Sequence, residues 1–203
     1  MKFLLKTVAL LAVLSLPLIF QSTPTEILKL KTFDYLVTEH EQSNYFAVLN
    51  ITEEDIEGEG GWPLPRARLA EIQNELISRG ALGVGWAVAF PQPDRLGGDE
   101  EFARSLQGSN SVLAMYENEG SGFPETVGTV IIGNSVGGYS ASGVVQNIEV
   151  LSNVTSQGIA SAPLEVDQLV RRMPLLMKTP DGWVPAFGTQ VMKVLANADT
   201  YLI

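Results

Sequence analysis

The sequence predicts an α/β fold: a single three-layer domain with a mixed, mainly parallel sheet flanked by helices and preceded by an N-terminal membrane helix. An apolar run over Tyr45–Ile51 is typical of a strand buried on both faces. A Pro-rich turn then leads into an amphipathic helix over Arg66–Arg79. A Gly-containing buried strand over Leu82–Phe90 follows, then a Pro/Asp loop and a second helix capped by Asp99. This β-α-β-α order collects the loops at one edge of the sheet.

Composition and charge narrow the class of protein. The chain has 203 residues, of which 45% are hydrophobic and 18% are charged, as is typical of a folded domain. The net charge of −10 argues against a nucleic-acid partner, because an acidic surface repels a phosphate backbone. The chain has no cysteine, which excludes disulfides, thiolate nucleophiles and Cys-ligated metals.

The first residues have the composition of a membrane segment. The run over Thr7–Phe20 is apolar and uncharged, and Lys6 before it would snorkel to the interface. A cleaved signal peptide is the alternative, but no A-x-A cleavage site follows. We therefore predict a membrane anchor or signal peptide over 1–22, a membrane-proximal helix or linker over 23–43, and the folded domain over 44–200. Both interpretations export the domain.

The rest of the chain is predicted to alternate short strands and helices. Gly80 stands where a helix C-cap glycine is expected, and Pro174 marks an edge or bulged strand. Further strands are predicted over 110–115, 128–132, 158–160, 169–177 and 183–184, and helices over 144–154 and 187–195.

These segments together resemble the CHASE2 domain, the second type of cyclase- and histidine-kinase-associated sensing extracellular domain. Trp62-Pro63-Leu64-Pro65-Arg66 is similar to the family's W-P-x-P-R signature, the most specific of the matches. Phe33–Leu36 resembles the family's first segment, and Val170–Leu176 resembles an arginine-containing stretch that ends in P-L-L. The chain departs from the pattern at Ala87, where an acidic residue is usual, and at 165–168, where E-V-D-Q replaces D-x-D-G.

The resemblance implies an extracytoplasmic sensory domain in the bacterial inner (plasma) membrane. In such receptors the domain follows one N-terminal helix and precedes further membrane helices and a cyclase or kinase. None of these outputs follows Ile203 in this sequence, so we expect either the sensor portion of a longer receptor or a receptor whose output half is missing. The expected partners are a small-molecule or environmental signal, the membrane through the N-terminal helix, and a second copy in a homodimer.

A serine-hydrolase motif is the main alternative. Gly133-Asn134-Ser135-Val136-Gly137 follows an apolar run and matches the G-x-S-x-G nucleophile elbow. Its serine needs a base, and the one histidine, His40, precedes it instead of following it. We therefore expect no catalytic residue, and we expect His40 to be a solvated residue, with pH sensing as its alternative.

Ligand-binding residues are predicted at the carboxyl edge of the sheet, where open α/β sheets bind ligands. Trp62 would offer a flat apolar face, Arg66 would contact a carboxylate or phosphate, and Asp94 and Asp99 would receive an amine. The alternative is structural: Trp62 packs the loop and Arg66 pairs with Asp99. No cofactor is implied, and no metal site is expected, because the acidic clusters lack calcium-loop spacing.

The function predicted is signal input by a non-catalytic domain that regulates a cyclase or kinase. An exported hydrolase using Ser135 and a purely structural dimerisation module are the two alternatives.

Overall fold

A computed structural model describes residues 6, 7, 10, 15, 22–38, 43–126, 128–130 and 137–202. The chain forms two units, called here the small unit and the large unit. The small unit comprises Met1–Leu49 with Leu164–Arg171, and the large unit comprises Asn50–Pro163 with Arg172–Ile203. The domain bounds of 44–200 stay a prediction.

Helix α1 of the small unit spans Thr23–Leu36. Pro24 lies in its first turn, where a missing N–H costs nothing. The strand predicted over 45–51 is wrong, because these residues have no regular secondary structure. Tyr45, Phe46, Val48 and Leu49 are 60–95% exposed. An apolar run favours a strand only where a neighbouring strand pairs with it, and this one has no pairing partner among the described residues.

The large unit contains five helices and eight strands within its described residues. In chain order they are α2 (Glu53–Gly58), α3 (Arg66–Ser78), β1 (Val84–Trp86), α4 (Asp99–Leu106), β2 (Ser111–Glu117), β3 (Thr129–Val130), β4 (Val144–Val145), α5 (Glu149–Ser152), β5 (Ser156–Ile159), β6 (Leu176–Thr179), β7 (Gly182–Pro185), α6 (Phe187–Leu195) and β8 (Tyr201–Leu202).

The central sheet is mixed and mainly parallel, which confirms the predicted α/β class with a mainly parallel sheet and helices. Strand β2 lies at its centre, with β1 and β5 parallel on either side and β4 antiparallel at its end. Helices α3, α4 and α5 cover one face, and α6 packs against β1, β2 and β5. Strands β3 and β8 pair separately in parallel, and β6 and β7 form an antiparallel hairpin.

The main core lies between the sheet and helices α3 to α5. Phe102 of α4 is fully buried and meets Trp86 and Phe90 edge to face, with ring centroids 5.3 and 5.4 Å apart. Leu106 and Leu113 are also fully buried in this cluster. Burying a side chain of this size stabilises the fold by about 1.5–3 kcal/mol. Phe102 and Leu106 thus form the inward face of α4.

Small residues on the opposite face let α6 approach the sheet. A Cβ added to Gly158 of β5 would lie 2.6 Å from the Phe187 Cα, and one added to Gly85 of β1 would lie 2.9 Å from the Phe187 Cζ. A Cβ at Gly158 would collide with backbone, whereas one at Gly85 would require the Phe187 ring to shift. These two glycines therefore allow the close approach of α6 to the sheet.

Glycines define two helix boundaries. Gly80 has φ +94°, and the N–H groups of Gly80 and Ala81 donate to Ile77 O and Leu76 O in a Schellman arrangement, which confirms the predicted C-cap glycine at the end of α3. The prediction that Asp99 caps α4 is wrong. Gly98, with φ +96°, is the N-cap, and Asp99 is the first helical residue.

Several predicted elements are shorter or different in type. The predicted strand over 82–90 ends at Trp86, because the Asn147 side chain inserts beyond it, accepting from Phe90 N at 2.7 Å and donating to Ala114 O at 3.1 Å. The predicted helix over 144–154 holds β4 and the short α5 instead. Of the strand predicted over 169–177, only its last two residues belong to β6.

The predicted N-terminal membrane helix receives no support from the structure. Within the part of the chain that the structure describes, no helix combines the length and the apolar character needed to cross a bilayer. Most of 1–22, on which the prediction depends, lies outside the described residues.

Candidate functional site

A cleft of about 240 Å³ opens beside Trp62 in the large unit. It lies between residues 62–66, which lead into α3, and residues 88–96, which follow β1, and we call it the Trp62 cleft. Trp62 is 56% exposed and Leu96 is 77% exposed, so much of their apolar surface faces solvent. The remaining lining is apolar apart from Arg66, Gln92, Asp94 and Arg95. This is the edge of the sheet at which the sequence predicted ligand binding.

Arg66 is the buried cation of the Trp62 cleft. It is the first residue of α3, and only 9% of its side chain is exposed. Its guanidinium carbon lies 4.3 Å from the centre of the Phe90 ring, within range of a cation–π interaction. Burial lowers the pKa of Arg66, and the charges of Asp99 and Asp94 oppose that shift. An arginine keeps its proton under these conditions, so the cleft holds a fixed positive charge.

Asp94 and Asp99 fix the walls of the cleft to one another. The Asp94 carboxylate accepts from the backbone N–H of Arg66 at 2.8 Å and from that of Leu96 at 3.1 Å. It thereby satisfies a donor at the start of α3, whose N-cap, Pro65, has no side-chain acceptor. Asp99 accepts from Asp94 N at 2.8 Å, and its Oδ1 lies 3.4 Å from Arg66 Nε.

The structure thus brings Trp62, Arg66 and Asp94 to the lining of one cleft, and Asp99 contacts Arg66 and Asp94 without lining it. Ligand binding by these residues stays a prediction. The structural alternative holds for Arg66, which pairs with Asp99. For Trp62 it stays a prediction: the side chain lines the cleft and is 56% exposed. Asp94 and Asp99 are engaged by backbone donors, a role that the sequence analysis missed.

Other chemistry predicted from motifs cannot be placed. Ser135 of the G-x-S-x-G motif and His40 both lie outside the described residues. Among the residues that the structure does describe, no three acidic or histidine side chains are grouped closely enough to hold a metal ion.

Comparison with known proteins identifies the family. The family model for the CHASE2 domain matches residues 8–202, nearly the whole chain. The chain belongs to the CHASE2 family. CHASE2 domains are extracytoplasmic sensory domains, so the resemblance drawn from the motifs is confirmed. No curated protein and no solved structure matches the chain.

The small unit of this CHASE2 domain contains a second polar site, which we call the Arg171 clamp. The Arg171 guanidinium donates from Nε and Nη2 to the two Asp34 oxygens, and from Nη1 and Nη2 to the two Asp167 oxygens, all at 2.7 Å. The Arg171 side chain is 7% exposed, against 45% for Asp34 and 12% for Asp167. Hydrogen bonds from Arg171 lower the pKa of both carboxyls, and the same bonds raise the pKa of Arg171.

The clamp joins two segments that resemble family motifs. Asp34 belongs to the last turn of α1, and Arg171 belongs to the arginine-containing stretch. The pairing of Arg171 with Asp34 was not predicted, because no local pattern links residues 137 positions apart.

Proposed function

We propose that this chain is the extracytoplasmic signal-input domain of a membrane-bound bacterial receptor whose cyclase or kinase output it regulates. The single observation that carries the proposal is membership of a sensory domain family over residues 8–202. In this role the domain binds or perceives a signal and passes it on by movement of α1 or by a change in dimer arrangement. The domain itself catalyses no reaction.

The Trp62 cleft supports an input role over a purely structural one. A module that only mediates dimerisation needs no pocket beside Trp62 and Arg66. The cleft instead combines exposed apolar surface with a buried cation, as ligand-binding sites do.

The location is tested with a topology fusion. Alkaline phosphatase, which folds only outside the cytoplasm, is fused after Ile203 of the full chain and expressed in bacteria, with a green fluorescent protein fusion as the reciprocal reporter. We expect phosphatase activity without fluorescence. Fluorescence without phosphatase activity would contradict an extracytoplasmic domain.

Two tests address the receptor role: the coding sequence beyond Ile203 and the activity of the output domain in variants. Coding sequence beyond Ile203 is expected to specify apolar spans followed by a cyclase or kinase. In that receptor, substitution of the cleft residue Trp62 by Ala should change output activity, whereas substitution of the exposed helix residue Arg79 by Ala should not. Equal output from both variants would refute an input role for the cleft.

A further inference from the structure

In the Trp62 cleft, the side-chain N–H donors of Arg66 outnumber the acceptors that they reach. Arg66 has five N–H donors, yet its one hydrogen bond through the side chain is a long one of 3.5 Å from Nη2 to Gln92 O. Its Nε is buried and lies 3.4 Å from Asp99 Oδ1, but neither atom has a hydrogen-bond partner among the described residues. These two atoms are each other's ionic partner, so the donors left for a ligand are those of Nη1 and Nη2, which make only that one long bond among the described residues.

The carboxylate oxygens around the cleft, in contrast to the Arg66 donors, mostly accept hydrogen bonds already. Both oxygens of Asp94 accept backbone N–H groups, and so does Oδ2 of Asp99. The remaining Oδ1 of Asp99 is buried behind Arg66 and is not among the atoms of the cleft lining. A cationic ligand would therefore compete with bonds that hold the cleft together, whereas an anionic one would use donors that are unmet.

The formal charges of the residues that line the cleft favour a ligand with one negative charge. Arg66 and Arg95 line the cleft together with Asp94, which gives its wall one net positive charge. A monocarboxylate matches this charge and the planar fork of a guanidinium. A dianion such as phosphate would exceed the net charge of this lining and would be repelled more strongly by Asp94.

The volume and the apolar lining of the cleft indicate the size and the chemical character of the rest of the ligand. The volume of about 240 Å³ is below that of most drug-sized sites, which favours a body of about one ring. The exposed Trp62 indole offers a flat face on which a ring would stack, and Pro91 and Pro93 line the cleft as well.

We propose that the Trp62 cleft binds a small aromatic monocarboxylate, with its carboxylate on the Arg66 guanidinium and its ring against Trp62. This inference deepens the proposed function, because such a ligand would be the signal that the sensory domain perceives.

The experiment is a titration of the full ¹⁵N-labelled chain, in detergent if needed, with benzoate, followed by NMR at the Trp62 indole N–H and the Arg66 Nε–H. Benzamide and benzylamine keep the ring and replace the anion by a neutral or a cationic group. We expect benzoate to shift both signals saturably and to bind at least about tenfold more tightly than either analogue, since the charge-assisted bonds to Arg66 are lost with them.

Three variants test whether benzoate binds in the Trp62 cleft. Arg66→Lys keeps the charge but loses the fork and should weaken benzoate binding about tenfold, and Trp62→Ala should weaken it similarly. Arg79→Lys, an exposed change on the same helix, is the matched control and should leave binding unchanged. If Arg66→Lys fails to fold, Trp62→Ala decides, because Trp62 is largely exposed.

Three results would overturn the inference: no saturable shift with benzoate, equal binding of benzoate and benzamide, or tighter binding of benzylamine. Each is distinguishable from failure of the proposed function, which is read from the topology fusion and from receptor output. An extracytoplasmic domain that ignores benzoate would leave the sensory role intact and remove only the carboxylate ligand.

Discussion

The Arg66–Asp99 pair should make the large unit unusually sensitive to loss of one charge. Arg66 Nε and Asp99 Oδ1 lie 3.4 Å apart, with side chains that are 9% and 11% exposed. At an effective dielectric constant of about 20, Coulomb's law gives an attraction of about 5 kcal/mol at this separation. The desolvation of both groups offsets much of that attraction in the wild type, so the net contribution of the intact pair is small.

Removal of one partner has a different consequence. In Arg66→Met the Asp99 charge stays buried with no cation beside it, and the desolvation cost is no longer offset. We expect the free energy of unfolding to fall by about 3–5 kcal/mol, and Asp99→Asn to cost a comparable amount by stranding Arg66. The double variant removes both charges and should cost less than the two single changes added together, with a coupling of about 1–3 kcal/mol.

Urea denaturation followed by circular dichroism measures these values, provided that the slope with denaturant stays constant. Arg79→Met is the control, because the Arg79–Glu75 pair is 75% and 60% exposed and should contribute at most about 1 kcal/mol. A cost below about 1 kcal/mol for Arg66→Met, or additive costs in the double variant, would refute the reasoning that the pair is buried and coupled.

Three further outcomes are expected. Gly158→Ala should destabilise the protein by about 1–3 kcal/mol, because the added Cβ would collide with the α6 backbone. Gly188→Ala is the control: its Cβ meets nothing within 4 Å, and the change should stabilise α6 by up to about 1 kcal/mol. Thermal unfolding measures both effects, and equal effects would contradict the close approach of α6. The pKa of Asp34 is lowered by Arg171, so its contribution to stability is present above about pH 4 and is lost as the pH falls through the folded-state pKa. The stability difference between wild type and Asp34→Asn should therefore shrink in acid, and a pH-independent difference would count against the clamp. Gln168 has φ +64°, so Gln168→Gly should relieve about 1 kcal/mol of strain and raise the melting temperature; a lower one would show that the strain is absent.

Local periodicity was sufficient to predict α3, α4 and the central strand. The apolar spacing over 66–79 and around Phe102 and Leu106 corresponds to observed helices that bury those faces. The continuous apolar run of β2 corresponds to a strand whose first five residues are buried. These elements are predictable because each carries its own burial pattern, whichever elements pack against it.

Strand pairing was not predictable in the same way. Residues 45–51 are as apolar as β2, yet they pair with no described strand and lie exposed, so hydrophobicity alone did not specify a partner. The early end of β1 depends on Asn147, which lies 57 residues beyond the Phe90 N–H that it accepts from. A polar side chain that replaces sheet pairing from such a distance leaves no local signal.

The candidate site was predictable in location but not in its internal bonding. The loop after β1 lies at the predicted edge of the sheet and carries Asp94. Trp62 and Arg66 follow no strand, because the strand predicted over 45–51 is not formed, and they reach the cleft through the start of α3 instead. The role of Asp94 depends instead on the direction of the first N–H groups of α3. Pro65 as N-cap leaves the Arg66 N–H without a local acceptor, and the Asp94 carboxylate provides one. That requirement appears only once the helix start is known.

The Arg171 clamp constrains how a movement of α1 would propagate in the proposed receptor. Asp34 is bound through both oxygens, so α1 cannot rotate or slide at its last turn without either breaking two 2.7 Å bonds or carrying Arg171 along. Breaking them would strand a guanidinium that is 7% exposed, though Asp167 would still hold it through two further bonds. Rigid movement of α1 together with residues 167–171 is therefore the less costly course. A signal that depends on this movement should be weakened by Asp34→Asn, which frees α1, more than by Glu26→Gln, which removes only the exposed pair with Lys29 on the same helix.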